Sequence, residues 1–128
     1  MTSNDEETLV LFLGRWIGET QGWEMPAHIW EISRQGAYLR MATRWEGETQ
    51  TGDFYAQIVP GEPAFQIPSL SNGKAILLDK QHFVIPGWCT NDTRNGQGPS
   101  YDVIFSRPGI AELTAREAYL KYLEQQKA

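Results

Sequence analysis

The sequence predicts an all-β fold, an up-and-down antiparallel β-barrel of roughly eight to ten strands, with a short helix in front and a short helical segment behind. Three observations carry this expectation. Stretch after stretch alternates apolar and polar residues with a period of two. Turns of hairpin length, marked by Gly, Pro or Asn, separate most of these stretches. The helical pattern at the start ends on a glycine, immediately before a strand opening Gly14-Arg15-Trp16-Ile17-Gly18, so the β-rich remainder can close around that tryptophan.

Ser3-Asn4-Asp5-Glu6 has the form of a capping box, and Leu9, Phe12 and Leu13 follow at helical spacing. Gly14 stands where a left-handed residue ends such a helix, which gives it about ten residues. In the strand that follows, Trp16, Gly18, Thr20 and Gly22 share one face, and Arg15, Ile17, Glu19, Gln21 and Trp23 take the other. The small residues after the tryptophan leave room for another element, or a ligand, to approach the backbone. Past Glu24-Met25-Pro26, a second strand over 27–33 puts His28, Trp30 and Ile32 on one face. Arg34-Gln35-Gly36 turns the chain into a third strand over 37–46, whose likelier core face is Leu39, Met41, Thr43 and Trp45.

A fourth strand runs from Thr49 to Val59, setting Gln50, Gly52, Phe54, Ala56 and Ile58 against Thr49, Thr51, Asp53, Tyr55 and Gln57. Pro60-Gly61-Glu62-Pro63 breaks it, and Ala64 to Ile67 is a short fifth strand stopped by Pro68. Two more strands cover Lys74 to Asp79 and His82 to Ile85, the second stopped by Pro86-Gly87. Trp88 to Ser100 reads as a long irregular loop, and Tyr101 to Ser106 resumes the strand pattern before the Arg107-Pro108-Gly109 turn. The last stretch supports two readings. Ile110 to Gln126 is rich in helix formers, with Leu113, Arg116, Leu120 and Leu123 on one stripe. A barrel needs a final strand to pair with the first, so the reading adopted is strand over 111–118 and a short helix from about Tyr119, with a continuous helix as the alternative.

At 128 residues the chain is expected to form a single barrel domain spanning 1–128, large enough to bury a core without staples. An aromatic share of 12%, five Trp among them, suits either a dense core or the apolar walls of a pocket. A net charge of −5 with no run of Lys or Arg argues against nucleic acid as a partner. Cys89 is the lone cysteine and gives no sign of an oxidising compartment. Neither a basic leader with a long apolar core nor a stretch of the roughly 18 apolar residues of a membrane span occurs, so the expectation is a cytoplasmic protein without a membrane partner.

The short helix followed by Gly-x-Trp at the head of the first strand resembles the calycin superfamily, which gathers lipocalins, intracellular fatty-acid-binding proteins and nitrobindin-like haem-binding barrels. The nitrobindin-like pattern Gly-x-Trp-x-Gly-x-Gly runs here as Gly14-Arg15-Trp16-Ile17-Gly18-Glu19-Thr20, with Thr20 in place of the last glycine. The resemblance implies a closed barrel with Trp16 packed at its base under a ligand cavity. In the haem-binding members the axial histidine lies near the C-terminus, whereas this chain has only His28 and His82, so haem and other cofactors are not expected. In the fatty-acid-binding members an inward Arg-x-Tyr near the chain end holds the carboxylate. Arg116-Glu117-Ala118-Tyr119 has a different spacing.

The function these residues suggest is binding of a small hydrophobic or amphipathic ligand inside the barrel, with Trp16, Trp30, Trp45, Phe54 and Tyr55 as walls and His28, Arg40 or Arg116 orienting a polar end. Arg40 and Arg44, with Tyr38 on their face, would make a fork for a carboxylate if they pointed inward. The more apolar opposite face favours an outward, solvated pair instead. His82, Cys89 and Asp92 are the residue types of a nucleophile, base and orienter, without a visible activating environment. No catalytic residues and no metal ligands are assigned. A barrel filled by its own side chains, acting as an interaction module or homodimer, is the alternative. A cavity enzyme of unspecified reaction ranks third.

Overall fold

The computed structural model describes residues 3–67, 73–90, 100–109 and 112–127. Helix α1 (Ser3–Phe12) leads into eight antiparallel strands, β1 (Gly14–Thr20), β2 (His28–Gln35), β3 (Tyr38–Trp45), β4 (Gly52–Ile58), β5 (Ala64–Gln66), β6 (Lys74–Asp79), β7 (His82–Thr90) and β8 (Ser100–Ser106). The strands pair in chain order and close on themselves, with β8 returning to β1 in the register Ile17↔Ser106, Gly18↔Phe105 and Thr20↔Val103. The predicted up-and-down barrel is therefore the fold.

Side-chain alternation sorts the wall into inside and outside. Trp16, Trp30, Ile32, Leu39, Met41, Ala56, Phe65, Phe83, Ile85, Val103 and Phe105 turn inward and are buried. α1 closes one end, driving Leu9 and Phe12 into the same core. Three ties fix it there: buried Asp5 accepts from the Gly61 amide at 3.0 Å, Glu6 pairs with both terminal nitrogens of Arg34, and the Trp16 indole N–H donates to Phe12 O at 2.8 Å. Glu6 thus serves the β2–β3 turn through its ion pair with Arg34.

Arg107, just past β8, lays its guanidinium 3.9 Å over the Trp16 ring and donates to Leu11 O at 2.8 Å and Arg15 O at 3.3 Å. The last carbonyls of a helix lack internal partners and favour a cation nearby. α1 has no basic residue in its last turn, so Arg107 supplies that charge from the far end of the chain. Gly14 crosses this region with φ +109°, and a Cβ there would stand 2.8 Å from the Arg107 guanidinium. The positive φ is what calls for glycine at 14, and its missing Cβ leaves the Arg107 guanidinium its place.

Two elements differ from the sequence expectation. The segment read as a closing strand over 111–118 belongs instead to helix α2 (Glu112–Gln126), as far as the described residues run. β8 already reaches β1, so closure needs no ninth strand. α2 packs on the outer wall, where Ala115, Tyr119, Tyr122 and Leu123 cover Val84 and Ile104. Its buried stripe is offset from the expected one, and Leu120 is half exposed. Tyr119 Oη donates to Asp102 Oδ2 at 2.9 Å and holds the helix down.

The second difference is β7, which does not stop at Pro86-Gly87. It passes through them with a register shift between Ile85 and Cys89, and Asp102 Oδ1 accepts from the Gly87 amide at 2.9 Å. Proline lacks a ladder donor and is tolerated at such a bulge. Of the expected loop over 88–100, residues 91–99 lie outside the described residues.

Candidate ligand-binding cup

β2 starts, β3 ends, β4 starts and β7 ends at the barrel mouth opposite α1. A cavity of about 460 Å³ opens there. Its wall is aromatic: Trp30, Phe54 and Trp88 meet in one cluster, and Trp45 stands beside them over His28. Period-two alternation puts His28 and Trp30 on the inner face of β2, Thr43 and Trp45 on that of β3, and Phe54 on that of β4. The bulge in β7 sets Trp88 into the remaining gap. Among the described residues, Thr43, Arg44, Glu48, Gln50, Thr51 and Gly52 form its rim. Arg44 Nη1 donates to Glu48 O at 3.4 Å, and Thr43 Oγ1 donates to Gly52 O at 3.2 Å, tying the β3–β4 connection to the mouth.

The floor is solid. Phe105 lies 4.4 Å from Trp30 and stacks on Phe83 at 4.5 Å with the planes 7° apart. Phe83 in turn meets Trp16 at 4.6 Å and Phe65 at 5.8 Å, and Phe65 meets Phe12 of α1 at 4.8 Å. An unbroken aromatic column thus runs through the barrel from α1 to the base of the cup. Gly18 makes room for it: a Cβ at that position would fall 2.5 Å from the Phe105 ring. The space beside the opening tryptophan holds a phenylalanine of the chain itself.

His28 is 5% exposed, packed 4.4 Å from Trp45 and 5.9 Å from Phe105, with Nε2 3.4 Å from Thr20 Oγ1. Burial disfavours its charged form and pulls its pKa from 6.5 down to about 4. At neutral pH it is an uncharged imidazole with one donor and one acceptor. The linkage has a definite sign. Between pH 6.5 and 4 the unfolded chain carries a proton on this residue that the folded chain lacks, so stability falls as pH drops through that window. Urea unfolding at pH 7 and pH 4.5 should show a loss on the order of 2 kcal/mol in the wild type that His28→Gln does not share. Equal losses in both proteins would place the acid sensitivity elsewhere.

Of the residues expected to bind ligand, His28, Trp30, Trp45 and Phe54 come together at the cup. Trp16 does not, being the fully buried base of the column. Arg40 and Tyr55 are cross-strand neighbours on the outer wall, where Arg40 pairs with Asp53 at 2.9 Å and Tyr55 is half exposed. Arg116 is exposed on α2. None of these three faces the cavity. Sequence reasoning missed Trp88, because Pro86-Gly87 was read as a strand end. Strand parity continued from Phe83 and Ile85 would turn Trp88 outward, and the bulge between Ile85 and Cys89 reverses that. The His82, Cys89 and Asp92 grouping is not assembled among the described residues: His82 sits at the α1 end of β7 with Nδ1 2.9 Å from Asp79, Cys89 is near the mouth, and Asp92 lies outside them.

Neither a family model nor a curated protein matches this chain. Among the described residues, no three His, Cys, Asp or Glu side chains are grouped to hold a metal ion, and no helix is long and apolar enough to cross a membrane.

Proposed function

We propose that the protein binds a small apolar or amphipathic molecule in the cup, as a cytoplasmic calycin-like barrel with no reaction assigned to it. The observation that carries this reading is the open 460 Å³ cavity, aromatic on its walls and polar at its rim, a size within the range of small-molecule sites. Binding would draw on burial of apolar ligand surface, about 0.8 kcal/mol for each CH₂ removed from water. The polar rim would set orientation.

The resemblance raises haem as a ligand, and the residues present do not fit it. The cup's one histidine lies with its ring against Trp45 and its Nε2 toward Thr20, and the aromatic column leaves a porphyrin no slot between the walls. A second reading is favoured by a separate observation. On the outer wall, Tyr38 is 46% and Tyr55 50% exposed, flanking a hollow of about 310 Å³ with Gln57 and Gln66. Paired with a filled lower barrel, that patch suits an interaction or homodimer face.

Native mass spectrometry separates the two. The expected result is a monomer carrying a small retained mass that Trp88→Ala loses and that Arg40→Ala and Arg116→Ala keep. A dimer with no retained mass, converted to monomer by Tyr55→Glu, would replace the binding reading with the interaction one.

A further inference from the structure

We infer that the cup selects a flat, uncharged aromatic or heteroaromatic molecule of one or two fused rings, seated against Trp45, in preference to a fatty acyl chain or an organic cation. This rests on the binding reading above and narrows its ligand class.

Depth excludes the acyl chain. The stacked rings of Phe105 and Phe83 begin directly beneath Trp30 and continue down to α1, so an extended chain entering the mouth has no shaft to occupy. The cavity's 460 Å³ spreads across the mouth, among side chains at the β2, β3, β4 and β7 ends, and suits a compact plate.

Ring geometry disfavours the cation. A cage for a quaternary ammonium needs several aromatic faces turned toward one empty point. Here Trp30 meets Phe54 at 81° and Trp88 at 80°, with centroids 5.4 and 5.8 Å apart, so these rings spend faces and edges on one another. Trp45 is different. Its ring packs on His28 at 4.4 Å with a 37° tilt, while the residue remains 37% exposed and lines the cavity, which makes it the platform open to a ligand. Aromatic rings prefer offset or edge-to-face partners, and a ligand ring completes such an arrangement where a saturated chain does not.

Charge points the same way. Among the described residues the rim carries one cation, Arg44, and one anion, Glu48, and the imidazole beneath is neutral near pH 7. An ionised ligand of either sign would give up hydration there to face a like charge as well as an opposite one. A ring nitrogen or hydroxyl has Gln50, Thr51 and the Thr43 oxygen within the rim, offering donors and acceptors together.

Calorimetric titration of the purified protein at pH 7.5 with quinoline, decanoate and tetramethylammonium tests this, using Trp45→Ala, Trp45→Phe and the outer-wall control Tyr55→Ala. Quinoline is expected to bind at least about tenfold more tightly than either other probe, Trp45→Ala to weaken it about tenfold, and Trp45→Phe and Tyr55→Ala to stay within about threefold. Decanoate or tetramethylammonium binding more tightly than quinoline, with the same dependence on Trp45, would overturn the ligand class and leave the cup a binding site. Quinoline binding that ignores Trp45→Ala would overturn the platform and with it the inference. No binding of any probe at millimolar concentration would overturn the inference and the binding reading together.

Discussion

Trp16→Ala should lower the unfolding free energy by about 3–5 kcal/mol, enough to leave a domain of this size marginal. Three losses coincide at this residue. The indole is fully buried between α1 and Phe83, so its removal opens a cavity at the base of the aromatic column. The bond from its N–H to Phe12 O disappears, freeing a buried helix carbonyl. Arg107 loses the ring on which its guanidinium lies, although its bonds to Leu11 O and Arg15 O remain available. Urea unfolding followed by far-UV circular dichroism measures the sum. A cycle combining Trp16→Leu with Arg107→Met isolates the cation and ring contribution, expected near 0.5–2 kcal/mol. A loss below about 1 kcal/mol for Trp16→Ala would mean that the indole does not key α1 to the barrel.

The parts of this fold legible in the sequence were those governed by a period of two and by turn chemistry. Leu39, Met41, Thr43 and Trp45 announced their inward face, and so did His28, Trp30 and Ile32. Parity also carried information that polarity obscured: Tyr55 directly follows Phe54, so one strand cannot send both inward, and the ladder chose Phe54. The tail was harder, because Glu112–Gln126 has the composition of a helix while a barrel-closing argument asked for a strand. That argument failed once β8 met β1, a pairing fixed by register rather than by local propensity. Whether the barrel is hollow was not legible at all. Phe83 and Phe105 lie on adjacent strands and are direct register partners, and only the closed wall shows that their stacked rings meet Trp30 on one side and Trp16 and Phe65 on the other.

That stack makes the second large effect. Phe105→Ala should cost about 3–5 kcal/mol, because it removes a fully buried ring that touches Phe83, Trp30 and His28 at once. It should also change what the barrel binds, since the missing ring is the floor of the cup and its removal joins the cavity to the space beneath. Decanoate, weak in the wild type, is expected to gain at least about tenfold in affinity and to raise the variant's thermal midpoint with the logarithm of its concentration once above the Kd. The glycine facing this ring supplies the internal check. In the wild type, Gly18→Ala places a methyl 2.5 Å from the Phe105 ring and should cost about 1–3 kcal/mol by overpacking. In the Phe105→Ala background the same methyl enters vacated space, and its cost should fall to near zero or reverse. Neighbours that share one cavity are non-additive in this way, whereas independent sites add. Additive costs, or a Phe105→Ala protein that gains no affinity for decanoate, would show that the ring does not divide the mouth of the barrel from its interior.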